Sequence, residues 1–317
     1  MGGLLSRLLE VKGNSLKVIQ LHGHQLKIEK QIGEGGFAVV YLVVDKQTGK
    51  RFALKQFNCL EDEQHSKFAH TELETLKKFT GKSPHIIDLV DTDGLQFALL
   101  PFYPCGTLQS IIDKERELRG EQPYALIPGQ FHRKEIIQIA MDVCEALSFF
   151  HGSVPPLAHR DISSGNILIK KDNETRRGVI MDFGSTSEAK VSTENYQDCM
   201  RLQELAEMTC SVLYRAPELH EVVTHSLVDE RTDVWSVGCV IYFMMYGISP
   251  FEFALKEGGS IKLAAMGASP VYHEQGFDEE LVGIMKSIFT TEVENRPTIA
   301  ELRGKLEELV MFDQLDR

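Results

Sequence analysis

The chain has 317 residues, 43% hydrophobic and 25% charged, a composition that suits a soluble globular protein of one or two domains. Its 46 acidic and 34 basic residues give a net charge of −12 without a long basic run, which excludes the clustered cations of a nucleic-acid surface. No apolar run approaches the roughly 20 residues of a membrane span, and the six scattered cysteines, lacking CxxC or zinc spacing, read as reduced thiols of a cytoplasmic protein.

The N-terminal segment, residues 1–13, opens Met1-Gly2-Gly3-Leu4-Leu5-Ser6. It lacks the apolar core of a secretory signal and fits the pattern for attaching myristate to Gly2 once Met1 is removed. That pattern fixes only two positions, so a chance match stands beside the acylated reading. One myristoyl chain binds membranes marginally, of order 10⁴ M⁻¹, so stable anchoring needs a second signal. No cysteine precedes Cys59 to carry a palmitate. Leu4, Leu5, Leu8 and Leu9 on one side of a short helix, with Arg7 and Lys12 as cations, would either serve as that signal or dock on the protein.

From Ser15 to Lys30 the alternation of Leu16, Val18, Leu26 and Ile28 predicts a hairpin turning at His22-Gly23-His24. Those two histidines read as a solvated turn rather than as metal ligands. Ile32-Gly33-Glu34-Gly35-Gly36-Phe37-Ala38-Val39-Val40 follows. A dinucleotide-binding turn would need a helix after the glycines; the β-branched run from Val39 to Val44 continues as a strand instead. Strand, Gly-rich loop and strand make a flap whose backbone N–H groups can approach phosphates. Phe52-Ala53-Leu54-Lys55 is the next strand. On the helix expected over 66–79, Phe68, Glu72, Leu76 and Phe79 recur at helical spacing, so Glu72 sits in an apolar stripe and needs a cation; Lys55 is its natural partner. Phe97-Ala98-Leu99-Leu100 is a further strand, closed by the rigid Pro101-Phe102-Tyr103-Pro104.

Residues 109–119 read as a charged helix and 120–130 as a surface loop. A long amphipathic helix with Ile136, Ile139, Ala140, Val143, Leu147 and Phe150 on one face comes next. It leads into His159-Arg160-Asp161-Ile162-Ser163-Ser164-Gly165-Asn166, with Asp182-Phe183-Gly184 beyond. An acid able to take a proton, an amide oxygen five residues on and a second acid before Phe-Gly form a phosphoryl-transfer constellation. Short strands over 167–170 and 178–181 bring Asn166 and Asp182 to neighbouring ends. The segment 185–209 is polar, and 234–246 is apolar nearly all round, a buried central helix.

Taken together, Gly33-x-Gly35-x-x-Ala38-x-Val40, Ala53-x-Lys55, Glu72, His159-Arg160-Asp161 with Asn166, Asp182-Phe183-Gly184, Ala216-Pro217-Glu218, Asp233-x-Trp235 and Arg296 resemble a eukaryotic protein kinase from about residue 26 to 312. Gly33 to Phe37, Leu100-Pro101-Phe102 and Asp229-Glu230-Arg231-Thr232-Asp233 are similar to the Numb-associated kinase family, closest to its myristoylated and palmitoylated serine/threonine kinase branch. The resemblance implies an α+β, two-lobed fold: a small β-rich lobe over 14–101 and a larger, mainly helical lobe over 102–313. It implies ATP and Mg²⁺ as cofactors, transfer of the γ-phosphoryl group to Ser or Thr of a protein substrate, autophosphorylation, and action at Golgi or other endomembranes in membrane trafficking. Gly2, if acylated, would be the peripheral membrane contact.

By the same resemblance Asp161 is the catalytic base, and Asn166 and Asp182 bind magnesium. Lys55, held by Glu72, orients the phosphates beneath residues 33–40. Ile32, Val40, Ala53, gatekeeper Leu100, and the backbones of Pro101 and Tyr103 meet the adenine. Glu218 and Arg296 form a structural pair, Asp233 braces the catalytic loop, and an extra helix is expected around His220–Val228. Arg160 is a candidate partner for a phosphate on the activation segment, where Thr186, Ser187, Ser192, Thr193, Tyr196 and Thr209 are candidate acceptors. Ser163 departs from the pattern, standing where this family carries a Lys. Losing one preorganised charge typically costs about 10²–10³ in rate, so a catalytically weak, membrane-tethered scaffold is the alternative. Ser211, five residues before Ala216, occupies the place of the Thr that bonds the catalytic Asp in Ser/Thr kinases.

Overall fold

A computed structural model describes residues 8–9, 18–58, 63–173, 175–256 and 258–315 of the chain. The chain divides into two compact units, Met1–Pro104 and Cys105–Arg317, a division just past the sequence-based boundary at 101. No helix among the described residues is long and apolar enough to cross a membrane.

The first unit is one antiparallel sheet and one helix. Strands β1 (Leu8–Leu9), β2 (Val18–Leu21), β3 (His24–Glu34), β4 (Ala38–Asp45) and β5 (Arg51–Phe57) precede α1 (Glu63–Phe79), then β6 (Asp91–Thr92) and β7 (Phe97–Pro101). Their order in the seven-stranded sheet is β1-β2-β3-β4-β5-β7-β6. Period-two alternation sends Ile19, Leu21, Leu26, Val43, Phe52, Leu54, Phe97 and Leu99 to one buried face. The β2–β3 turn at His22-Gly23 puts His22 at φ 41°, where its ring nitrogen Nδ1 lies 2.9 Å from Asp91. His24 faces Asp45 at 3.0 Å, so each histidine has a carboxylate partner.

The expectation of a leucine helix at the N-terminus is corrected in its described part. Leu8–Leu9 is a strand paired with Val18 and Ile19 of β2. The outer edge of β2 offers unpaired backbone groups, and an extended segment satisfies them where a helix would not. Gly2, Leu4 and Leu5 lie outside the described residues.

The second unit is mainly helical. It runs α2 (Leu108–Arg119), α3 (Arg133–His151), β8 (Leu157–Ala158), β9 (Ile167–Asp172), β10 (Thr175–Ile180), β11 (Ser187–Glu188), β12 (Val191–Thr193) and α4 (Tyr196–Thr209). There follow α5 (Pro217–His220), β13 (Ser226–Val228), α6 (Arg231–Tyr246), α7 (Phe253–Lys256), α8 (Ile261–Met266), α9 (Glu279–Ile288) and α10 (Ile299–Leu315). Thr107 and Ser110 exchange hydrogen bonds in a capping box that starts α2, and Gly120 ends it in the left-handed conformation at φ 65°. Helix α6 is buried from Thr232 to Tyr246 and packs against α3 and α9. Trp235 stacks on Phe251 at 5.5 Å and meets Phe289 edge-on at 5.1 Å, the aromatic centre of this core.

A second correction concerns the extra helix. Beyond Ala216-Pro217-Glu218 the chain forms only the short α5 and then β13, which pairs with β12. The additional helix is α4, before that motif. Asn195 caps it, its side chain accepting from the N–H groups of Gln197 and Asp198. Cys199, Leu202 and Ala206 recur at helical spacing and pack with Leu219, Val222 and Val228. The narrow apolar stripe was present in the sequence, but the polar composition of 185–209 hid it.

Candidate active site

In the first unit the glycine loop joins β3 to β4 as a flap. Gly33 and Glu34 pair with Val40 and Val39, and Gly35 N–H closes the turn on Ala38 O at 2.9 Å. Nothing lies within 4 Å of where a Cβ would stand at Gly35 or Gly36, so this backbone is open to a ligand. Phe37, at the tip, turns onto α1, with its ring 5.1 Å from His65 and 4.7 Å from Phe68. Phe68 lies one turn before Glu72 on the same helix. Lys55 projects from β5, and its Nζ meets Glu72 Oε1 at 2.6 Å and Oε2 at 2.7 Å, both side chains buried. Strand β5 pairs with β7 so that Ala53 stands opposite Leu100 and Phe52 opposite Pro101. Leu100 is buried, Ile32 is exposed, and burial pushes the Tyr103 phenol upward.

In the second unit β8 delivers the chain to His159. Its ring is buried against Phe183 at 5.5 Å, and Phe183 packs on Phe150 at 5.4 Å. Asp233, fully buried on α6, accepts from the N–H groups of His159 (2.7 Å) and Arg160 (2.9 Å) and pairs with His151 Nε2 at 3.0 Å. This clamp holds Arg160 at φ 68°, a costly region for a residue that carries a Cβ. Asp182 is likewise at φ 64°. Met181 N–H donates to Asn166 O at 2.9 Å, which ties the segment before Asp182 to the catalytic stretch.

The Asp161 carboxylate is held from both sides. Ser211 N–H donates to Oδ1 at 2.8 Å, and Asn166 Nδ2 donates to Oδ2 and to the Asp161 carbonyl, each at 2.8 Å. Burial pushes its pKa above the ordinary carboxylate value, the Ser211 hydrogen bonds and His159 pull it down, and the charge of Asp182 raises it again. The Asn166 amide nitrogen is spent on Asp161, and among the described residues no hydrogen bond to its Oδ1 is formed. A hard amide oxygen together with the carboxylate of Asp182 suits magnesium. Ser163 is buried and contributes its carbonyl to Asn166 N–H at 3.0 Å. Ser164 donates to Gln109 at 2.6 Å and shares a hydrogen bond with the buried Tyr214 hydroxyl at 2.7 Å.

Glu218 and Arg296 meet at 2.7 and 3.1 Å; Arg296 also donates to two carbonyls, and its guanidinium stands 5.1 Å from the Trp235 ring. Arg160 does not stand ready for a phosphate. It is buried, with Nη1 on Asp229 O and Thr232 Oγ1 and Nη2 on Glu188 O and Ala189 O. The fold thus uses Arg160 to pin β11 through neutral carbonyls. Of the candidate phosphoacceptors, Thr186 and Thr193 are buried, while Ser192 and Tyr196 are exposed. His151, Thr232 and Gln109 are the supporting residues that sequence reasoning passed over. Gln109 and His151 carry no local motif, Thr232 lies within Asp229–Asp233 with no role assigned to it there, and His151 shows only as the last residue of an amphipathic helix.

A protein kinase domain model matches residues 26–305. The chain is 32% identical over 288 residues to serine/threonine-protein kinase 16 of Homo sapiens, covering 88% of each chain. It is 30% identical over 316 residues to a probable serine/threonine-protein kinase of Dictyostelium discoideum, covering 80% of this chain and 85% of that one. Serine/threonine-protein kinase ppk13 of Schizosaccharomyces pombe is 28% identical over 327 residues, with 92% of each covered.

Proposed function

The chain belongs to the protein kinase family, and from that premise we propose that it transfers the γ-phosphoryl group of ATP to serine or threonine hydroxyls of protein substrates, its own included. The observation that carries this reading is the Asp161 carboxylate, gripped by Ser211 N–H and the Asn166 amide on a loop braced by Asp233. Asp161 orients the acceptor hydroxyl and takes its proton. Lys55, fixed by Glu72, orients the α- and β-phosphates, and the open backbone of residues 33–38 covers them. Val40, Ala53 and Leu100 supply apolar walls for the adenine, with the Pro101 and Tyr103 backbones at its edge. Asn166 and Asp182 would hold the magnesium, which when bound neutralises charge on the transferring phosphoryl group.

The finer placement, in the Numb-associated family and its myristoylated and palmitoylated branch, rests on Asp229–Asp233 and the flap. With it come a cytoplasmic location at endomembranes, a role in membrane trafficking and an acylated Gly2. The intact mass of protein made in eukaryotic cells tests the last point: a mass short only of Met1 would end the anchor.

One residue supports a second reading. Ser163 brings no cation where a Lys is usual, which favours a catalytically weak scaffold. Phosphate transfer from labelled ATP with Mg²⁺, comparing wild type, Asp161→Asn and Ser163→Lys, separates the two. Wild-type transfer that vanishes in Asp161→Asn establishes the enzyme, and Ser163→Lys then measures what the missing charge costs, up to about 10²–10³-fold. Activity only in Ser163→Lys establishes the scaffold.

A further inference from the structure

The second unit holds a concavity one residue away from the group that grips the catalytic carboxylate. Ser211 N–H donates to Asp161, and the next residue, Val212, lines a cavity of about 560 Å³. Ligand sites span roughly 300–1,000 Å³. The walls come from α4 through Glu207, from the segment before α5 through Arg215, from α5 through His220, and from α8 through Ile261 and Lys262. Val212 and Ile261 make part of it apolar.

Two polar side chains of this cavity each have a buried nitrogen without a hydrogen-bond partner among the described residues. Arg215 is 8% exposed, and its Nη2 donates only to the carbonyls of Cys210 at 2.9 Å and Glu207 at 3.5 Å. Its Nε has no partner, and no carboxylate pairs with it among the described residues. His220 is 5% exposed with Nε2 likewise unpartnered. Burial, reinforced by Arg215 and Lys262, lowers its pKa to about 4, so the ring is neutral at physiological pH and adds a hydrogen-bonding group rather than a charge. Elsewhere in this unit a buried guanidinium is satisfied by a carboxylate, as Arg296 is by Glu218, or by carbonyls and a hydroxyl on both terminal nitrogens, as Arg160 is; the described contacts of Arg215 are two carbonyls on one nitrogen. At the rim Lys262 shares its charge with Glu221 at 3.0 Å, and the Glu207 carboxylate accepts from Gln203. Among the described residues, the cation of this cavity without a carboxylate partner is Arg215.

We propose that this cavity receives a carboxylate side chain of the protein acceptor, which makes the enzyme selective for Asp or Glu at a fixed distance from the phosphorylated Ser or Thr. The inference rests on the protein-kinase reading and adds its substrate class. Arg215 supplies the charge-assisted hydrogen bonds, His220 a second polar contact, Lys262 the field at the mouth, and Val212 and Ile261 a surface for the side-chain methylenes.

The test is a positional scan in which one Glu is moved along a neutral Ser-containing peptide. The quantity read is the ratio of kcat/KM for the Glu peptide to that for the neutral peptide, so that a general loss of activity cancels. A charge-assisted hydrogen bond to a buried cation predicts a ratio of about 10 or more at one position. Arg215→Met should bring it near one. Because that variant removes buried contacts, Lys262→Met and Glu207→Gln provide a second pair, expected to lower and raise the ratio respectively. A flat scan, or a preference unchanged in all three variants, overturns the proposal. Loss of transfer to every peptide overturns the kinase reading instead. Fluorescence anisotropy of the labelled Glu peptide then still decides the cavity: tighter binding than the neutral peptide, weakened in Lys262→Met, supports it, and equal binding refutes it.

Discussion

Replacing Asp233 by Asn tests the brace beneath the catalytic loop with almost no change in volume. Oδ2 accepts from His159 N–H and His151 Nε2, Oδ1 accepts from Arg160 N–H, and the residue is fully buried. The asparagine oxygen best takes the place of Oδ2, which turns the amide N–H₂ against the Arg160 N–H. That orphaned donor costs about 1–3 kcal/mol, and the two surviving bonds fall from charge-assisted to neutral, about 1 kcal/mol each. The sum is about 3–5 kcal/mol. Trp235, the chain's single tryptophan, lies in the same core and reports unfolding of this unit in urea by its fluorescence. Turnover should fall as well, because the Arg160 backbone at φ 68° loses the bond that holds it beside Asp161. Burial alone would raise the Asp233 pKa; the His151 hydrogen bond and the charges of His151, His159 and Arg160 outweigh it and leave it lowered. A lowered folded-state value means the stabilisation is complete above the unfolded value of about 4 and drains away as pH falls through the folded value. The gap between wild type and Asp233→Asn should therefore be flat near neutrality and narrow in acid. A variant within about 1 kcal/mol of wild type at pH 7 with unchanged turnover would refute the brace, since ordinary surface substitutions stay within roughly 0.5 kcal/mol.

Glu218→Ala strands the buried Arg296 charge and should cost about 3–5 kcal/mol in urea unfolding; the double variant Glu218→Leu with Arg296→Met should recover much of it, and equal losses in both would show that the charge is not the cause. Phe37→Ala removes the ring packed on His65 and Phe68, a contact of about 0.5–1.5 kcal/mol. It should raise the KM for ATP about 2- to 10-fold, with Phe37→Leu intermediate, and an unchanged ATP titration would show that the flap does not need this contact. Asp45, held below the ordinary carboxylate range by Gln47 N–H and His24, ties the β4–β5 turn. Its contribution should be present at neutral pH and lost as pH falls below about 4; hydrogen exchange at β3 and β4 in wild type and Asp45→Ala should differ at pH 7 and converge in acid.

The fold class and the kinase family were legible in the sequence because local pattern carries them. Two-residue alternation marks the strands, the all-apolar run 234–246 marks a central helix, and His159-Arg160-Asp161 and Asp182-Phe183-Gly184 are words whose residue types are dictated by the chemistry. A buried Glu72 in an apolar stripe also calls for a cation from sequence alone. The hidden parts are those whose partners lie far along the chain. Arg160 reads as a free cation until Asp229, Thr232, Glu188 and Ala189 surround it. His151 becomes a support for Asp233 only because α3 and α6 pack together. Helix α4 exists because Cys199, Leu202 and Ala206 find Leu219, Val222 and Val228 across a turn of chain; in isolation its polar sequence gives up too much conformational entropy for too little burial. That Arg215 has no carboxylate partner among the described residues is likewise invisible beside Ala216-Pro217-Glu218. Residue order is enough to say which chemical groups are present and how they are spaced locally. Which of those groups are already satisfied depends on packing, because burial removes water and leaves each charge to the neighbours that the fold brings to it.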